Sequence, residues 1–265
     1  MSNSSSKGTA LITGASRGIG AVYADRLGKR GHDLILVARS EEPLKALAAS
    51  LSSASGRQIT PIVADLNNET GLAKVQTKLK DDPGVTMLVN NAGFASVGPL
   101  LEADNRKMQD MIALNVTALT RLTYAAAPAF VKRGTGTIIN IGPAAGISVE
   151  ALNGVYGASK VYVLAFSLSL QQELTSKGIR VQAVLPGRTA TDGWDVAGLP
   201  WQQQPPSIIM PVEDMVDAAL VGLDQGELVT IPGLHNGDEW TRFEAARRSM
   251  LPQFGTSVPA PRYRT

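Results

Sequence analysis

The chain has 265 residues, 44% of them hydrophobic, enough to bury a sizeable core as one large α/β domain or two small ones. A net charge of +2 with no long basic run gives no electrostatic case for nucleic acid as a partner. The absence of cysteine excludes disulfides and zinc–thiolate sites, and His32 and His235 alone cannot build a multi-histidine centre, so no metal is expected.

Residues 1–7 are polar and Ser-rich, with no apolar stretch before the first strand. Neither a signal peptide nor a membrane-spanning segment is expected, and a chain without cysteine suits a reducing cytoplasm. Short runs rich in Leu, Ile and Val then alternate with longer helical patterns. Strands are predicted at 9–13, 33–38, 59–64, 86–90, 137–141 and 180–185, with a shorter seventh at 228–231. None alternates strictly, as befits strands buried on both faces of a mostly parallel sheet. Crossover helices are predicted at 19–29, 42–51, 69–79, 104–132 and 155–176, with a late helix at 215–223. The pattern predicts a single doubly wound α/β domain over 1–265. Residues 187–211, with four prolines and two tryptophans, read as a loop that builds a substrate site, and the tail from 252 onward reads as extended or frayed.

The first strand runs into Thr13-Gly14-Ala15-Ser16-Arg17-Gly18-Ile19-Gly20. Glycines permit a tight turn and a close approach of backbone to a pyrophosphate, and the helix that follows points its unpaired N–H groups at the anion. A tight strand-to-helix turn without a ligand has the same composition; the βαβ placement favours the dinucleotide. An NAD site would carry an acid at the end of the second strand, but that strand ends Val37-Ala38-Arg39-Ser40. Arg39, joined by Arg17, is placed for a 2′-phosphate, so NADP(H) is the expected cofactor, although both arginines could be solvated surface residues.

Further along, Tyr156-Gly157-Ala158-Ser159-Lys160 places Tyr156 and Lys160 one turn apart on one helix face. A tyrosine hydroxyl titrates near 10, and a neighbouring ammonium would draw that value toward neutrality.

The glycine turn, Asp65-Leu66, Asn90-Asn91-Ala92-Gly93, Asn115, Tyr156-x-x-x-Lys160 and Pro186-Gly187 occur in order, and from about 9 to 191 the chain resembles the short-chain dehydrogenase/reductase family. The resemblance implies a Rossmann fold and an oxidoreductase acting on a carbonyl/alcohol or imine/amine pair. It implies that Gly14, Ser16, Arg17, Gly18, Ile19 and Gly20 hold phosphates. Asp65 and Leu66 would meet the adenine, and Asn91, Ala92 and Gly93 would line the adenosine side. Asn90 would line that side with them, and the four residues would together brace the central strand. Asn115 would kink its long helix and hold a relay water leading to Lys160. Lys160 would bind the nicotinamide ribose, Tyr156 would exchange the proton, and Pro186, Gly187, Thr189 and Thr191 would fix the carboxamide. It also implies a homodimer or homotetramer through the helices at 104–132 and 155–176.

One position departs from the family. A serine that hydrogen-bonds the substrate oxygen usually lies 13 residues before the tyrosine; here that position is Pro143, which has neither hydroxyl nor N–H. Ser148 and Asn153 are polar candidates to replace it. The alternative is a cofactor-binding protein with little activity. Phe94, Val149, Leu152, Trp194, Leu199 and Trp201 are the expected substrate lining, which suits an apolar or aromatic small molecule.

Overall fold

The computed structural model describes residues 6–96, 99–144, 147, 154–193 and 200–264. The chain forms two units, Met1–Pro232 and Gly233–Thr265. In the first, seven strands form one sheet: β1 (Thr9–Thr13), β2 (Asp33–Ala38), β3 (Ile59–Val63), β4 (Val85–Asn90), β5 (Gly136–Ile141), β6 (Ile179–Val184) and β7 (Val229–Thr230). Their order is β3-β2-β1-β4-β5-β6-β7 and every pairing is parallel. This is the expected doubly wound α/β architecture.

The helices of this unit are α1 (Gly18–Lys29), α2 (Glu41–Ser55), α3 (Glu69–Asp81), α4 (Asn105–Ile112), α5 (Leu119–Arg133), α6 (Gly154–Leu174) and α7 (Val212–Asp224). Successive strand residues serve opposite faces, which is why the strands read as unbroken apolar runs. Ile12, Leu36 and Val89 pack with Tyr23 and Leu27 of α1 and Leu220 of α7. Leu11, Ile35 and Leu88 pack on the other face with Val75 of α3, Phe130 of α5 and Leu170 of α6. From β1 the chain adds β2 on one side and later β4 on the other. Between the carboxyl ends of β1 and β4 the connections diverge, and a crevice opens there.

Three expectations change. The helical stretch 104–132 is two helices joined by a π-helical turn, Ala113–Ala118, with Asn115 inside it. The loop 187–211 contains 3₁₀ turns at Trp201–Gln203 and Pro206–Ile208 and is pinned by a parallel bridge between Thr189 and Met210. The second unit carries a helix that the periodicity missed, α8 (Asp238–Ser249), and 3₁₀ turns at Leu251–Gln253 and Pro261–Tyr263 where an extended tail was expected. The signal for α8 was electrostatic: Asp238 and Glu239 open it and Arg247 and Arg248 close it, each matching the helix dipole. Its one buried residue is Glu244, so no apolar stripe marks it. No helix among the described residues is long and apolar enough to cross a membrane.

Candidate active site

The strand-to-helix turn after β1 depends on two glycines with left-handed backbone, Gly14 at φ +65° and Gly18 at φ +54°. A side chain at Gly14 would also place its Cβ 2.9 Å from Ala92 Cα and from Asn91 Nδ2. Asn91 clamps the turn: Nδ2 donates to the carbonyls of Thr13 (2.9 Å) and Gly14 (3.2 Å). The Thr13 hydroxyl oxygen in turn accepts the N–H groups of Asn91 and Ala92, both at 3.0 Å. Arg17 is the N-cap of α1, but no side chain caps the helix and its first turn holds no acid. The N–H groups there, with the positive end of the dipole, form an uncovered anion cradle.

That cradle is one wall of an open cleft of about 500 Å³. Every residue expected to bind cofactor lines it except Gly20 and Asn90. Gly20 lies beneath the turn, where a Cβ would sit 2.6 Å from Asn91 Nδ2, so its role is to let α1 pack under Gly14 rather than to face a ligand. Arg17 and Arg39 are both exposed on the cleft wall, beside Ser40. Asp65 is half-buried, and its Oδ1 accepts the Asn67 N–H at 3.0 Å, which fixes the turn that carries Leu66 into the cleft. Asn90 points the other way, donating to Thr123 Oγ1 (3.1 Å) and Asn140 Oδ1 (2.9 Å) in the interior, and so braces β4 against β5. Ser40, Asp110, Leu114 and Asp192 also line the cleft and carried no sequence signal. Leu114 in particular reaches it from the π turn, which periodicity does not register.

At the other end, α6 begins at Gly154 and brings Tyr156 and Lys160 to the cleft, both buried. Lys160 Nζ lies 5.7 Å from the centre of the Tyr156 ring. Burial dominates both groups: it pushes the Tyr156 hydroxyl up to about 12 and the Lys160 ammonium down to about 8. The expectation that Lys160 draws the tyrosine toward neutrality is therefore not met in this structure. Desolvation of the phenolate is the cause, and the same desolvation disfavours the Lys160 charge. Tyr156 stands as a neutral acid, ready to donate.

Asn115 is buried behind this pair. Its Oδ1 accepts the Phe94 N–H (3.1 Å), and its Nδ2 donates to the Phe94 carbonyl (3.0 Å) and to Ser159 Oγ (3.2 Å). Gly93 has room for no side chain, since a Cβ would stand 2.9 Å from Asn115 Oδ1 and 3.4 Å from Lys160 Nζ.

Pro143 is half-buried on the cleft wall after β5. Its neighbours are anchored, Gly142 N–H to the Val184 carbonyl and Ala144 N–H to the Pro186 carbonyl, both at 2.8 Å. The segment after β6 crosses to the glycine turn, where a Cβ on Gly18 would meet Thr191 Cγ2 at 3.4 Å. Thr189 is buried, with Oγ1 donating to the Gly187 carbonyl at 3.3 Å. Phe94 lines the cleft as expected, whereas Trp201 is half-buried in its own 3₁₀ turn and absent from the cleft wall. Ser148, Asn153 and Trp194, with Val149, Leu152 and Leu199, lie outside the described residues.

A turn for an anion, two arginines beside it and a buried Tyr/Lys pair thus share one cleft at the switch point of a parallel sheet. Residues 8–198 match the family described as short chain dehydrogenase. The chain belongs to the short-chain dehydrogenase family. The chain is similar to a short-chain dehydrogenase from Sphingobium yanoikuyae solved in complex with NADPH. The two are 46% identical with a TM-score of 0.94, covering 97% of this chain and 100% of that one. It is also similar to a bulky-bulky ketone specific alcohol dehydrogenase from Comamonas testosteroni, at 40% identity and TM-score 0.91, covering 98% and 100%. Among curated relatives, a ketoacyl reductase from Nostoc is 32% identical over 189 residues, 71% of this chain. The match spans 66% of that relative's length and as little as 52% of others.

Proposed function

We propose that this protein is an NADP(H)-dependent oxidoreductase that interconverts a ketone bearing two bulky, apolar or aryl groups with its secondary alcohol. One observation carries the reading: a single cleft joins the uncapped N-terminus of α1 and the exposed Arg17 and Arg39 to the buried Tyr156 and Lys160. The residues suit the cofactor, since Gly14 leaves no space for a Cβ beside Ala92 and two guanidinium groups flank a cradle without an acid. The NADPH complex of the Sphingobium relative and the ketone preference in the name of the Comamonas relative support it.

In this reading the turn from Gly14 to Gly18, with Ser16 and Ile19, holds the pyrophosphate, and Arg17 and Arg39 fork onto the 2′-phosphate. Asp65 and Leu66 with Asn91, Ala92 and Gly93 border the adenosine, and Pro186, Gly187, Thr189 and Thr191 border the nicotinamide. NADPH, when bound, supplies the hydride that reduces the carbonyl carbon. Tyr156 donates its hydroxyl proton to the carbonyl oxygen as negative charge develops there, and Lys160 binds the ribose hydroxyls and stabilises the phenolate that remains. Asn115 in the π turn holds the relay that returns a proton to Lys160. The loop 187–211 closes the substrate side. Ile112, Tyr124 and Val161 on α4, α5 and α6 stay exposed, which supports a homodimer or homotetramer through these helices. A cysteine-free chain supports a cytoplasmic setting.

Pro143 favours a second reading, a cofactor-binding protein with little turnover, because it removes a donor to the substrate oxygen. Initial rates with diaryl and aryl-alkyl ketones and imines, with NADPH and NADH in parallel, separate the two. The first reading expects turnover with NADPH preferred by about a hundredfold or more, the value of two charge-assisted contacts. Tight NADPH binding without turnover favours the second. Equal use of NADH contradicts the roles of Arg17 and Arg39.

A further inference from the structure

We infer that Ser159 is a positioning residue for the reaction, a hydroxyl that ties the first turn of α6 to the π turn and to the loop after β4, and so sets where Tyr156 and Lys160 stand. The inference rests on the reading of Tyr156 and Lys160 as the reacting pair.

Ser159 sits between those two residues in the chain, yet it points away from the cleft. It is 3% exposed and forms no part of the cleft wall. Its Oγ donates to the Tyr156 carbonyl at 2.8 Å and accepts from Asn115 Nδ2 at 3.2 Å. The hydroxyl is thereby spent, so Ser159 cannot take over the contact that Pro143 lacks. What it does instead follows from its partners. The Asn115 amide holds the Phe94 peptide by both its N–H and its carbonyl, which leaves one N–H of Nδ2 to give, and Ser159 takes it. Turning the amide over would set an acceptor against the Phe94 carbonyl and a donor against its N–H, so only one orientation satisfies all three contacts.

The result is an unbroken chain of hydrogen bonds from Phe94 through Asn115 and Ser159 to Tyr156. It joins three segments, the loop after β4, the π turn and α6, at the point where α6 enters the cleft. Phe94 and Tyr156 both line the cleft, one on each side of this chain. The π turn is a rare local departure from the α-helix of a kind frequent at functional sites, and Asn115 lies inside it. With no hydroxyl at position 143, the placement of the substrate oxygen falls to Tyr156 among the described residues. An error in its position is then felt in full.

The test compares Ser159→Ala and Ser159→Thr with the parent, using NADPH and an aryl ketone. Threonine keeps an oxygen that can bond the carbonyl three residues back in a helix. Ser159→Ala is expected to lose about tenfold to a hundredfold in kcat, the scale of a sub-ångström to ångström misplacement, with KM for both substrates changed by less than about threefold. Ser159→Thr is expected to recover most of that loss. An unchanged kcat in Ser159→Ala overturns the inference, and so does an equal loss in both variants. A lower Tm with kcat intact also overturns it. If the parent binds NADPH but reduces no ketone or imine, the functional reading fails, and positioning is judged by amide hydrogen exchange. Faster exchange at 154–160 and at Phe94 in Ser159→Ala than in Ser159→Thr supports the tie. Equal exchange in the two variants overturns it.

Discussion

The two ends of the cleft are built differently. At the β1–α1 end, backbone does the work: two left-handed glycines, an uncapped helix and an asparagine that clamps the turn from behind. At the α6 end, buried side chains do it, held by a relay of side-chain hydrogen bonds. A backbone cradle recognises any phosphate, so in the proposed function selectivity there falls to the exposed arginines at its rim. A buried Tyr/Lys pair has the opposite character, since its protonation is set by desolvation and its position by Asn115 and Ser159, which form no part of the cleft wall. The first end should respond to mutation chiefly in affinity and the second chiefly in rate.

The largest expected effect that sharpens this contrast is at the rim. The double substitution Arg17→Ala with Arg39→Ala should weaken NADPH by on the order of a hundredfold to ten-thousandfold, from two charge-assisted contacts of about 1.5–3 kcal/mol each. NADH affinity and kcat should hardly move. Fluorescence titration with both cofactors checks this, and a parallel loss for NADH would break the division of labour. Next, Pro143→Ser supplies the missing donor at the rate-setting end, and kcat for ketone reduction should rise by about a hundredfold or more. A variant no faster than the parent means that the hydroxyl was not limiting.

The smallest effect is the pH profile. With Tyr156 near 12, its proton is retained through the neutral range, so the titrating group is Lys160 near 8. As pH rises through that value the ammonium is lost, and with it the charge that stabilises the developing phenolate. Plots of kcat/KM for reduction against pH should be flat below about 8 and fall about tenfold per unit above it. A rate that climbs with pH across this window would contradict the assignment.

The cofactor end was more legible in the sequence than the catalytic end. Gly14 and Arg39 follow predicted strands directly and Gly18 opens the next helix, so the order of elements alone dictates what they face. Tyr156 and Lys160 were legible as a pair through their spacing, but the sign of the tyrosine's shift was not, because burial is a property of the packed site. Asn115 was read from resemblance, while the π turn that displays it leaves no mark on a long apolar pattern. Ser159 looks in sequence like any small helical residue, and its partners lie 44 positions away in Asn115 and three positions back in Tyr156. α8 escaped for a different reason: its ends are marked by charge, and it has no buried apolar stripe for periodicity to find.

The central claim is that this cleft reduces a ketone with NADPH through the proton of Tyr156. Single-turnover loss of NADPH absorbance on mixing the binary complex with an aryl ketone tests it directly, in the parent and in Tyr156→Phe. The account predicts rapid loss in the parent and a rate lower by about a hundredfold to ten-thousandfold in Tyr156→Phe, with NADPH affinity preserved within about threefold. A Tyr156→Phe variant that consumes NADPH at the parent's rate would contradict it.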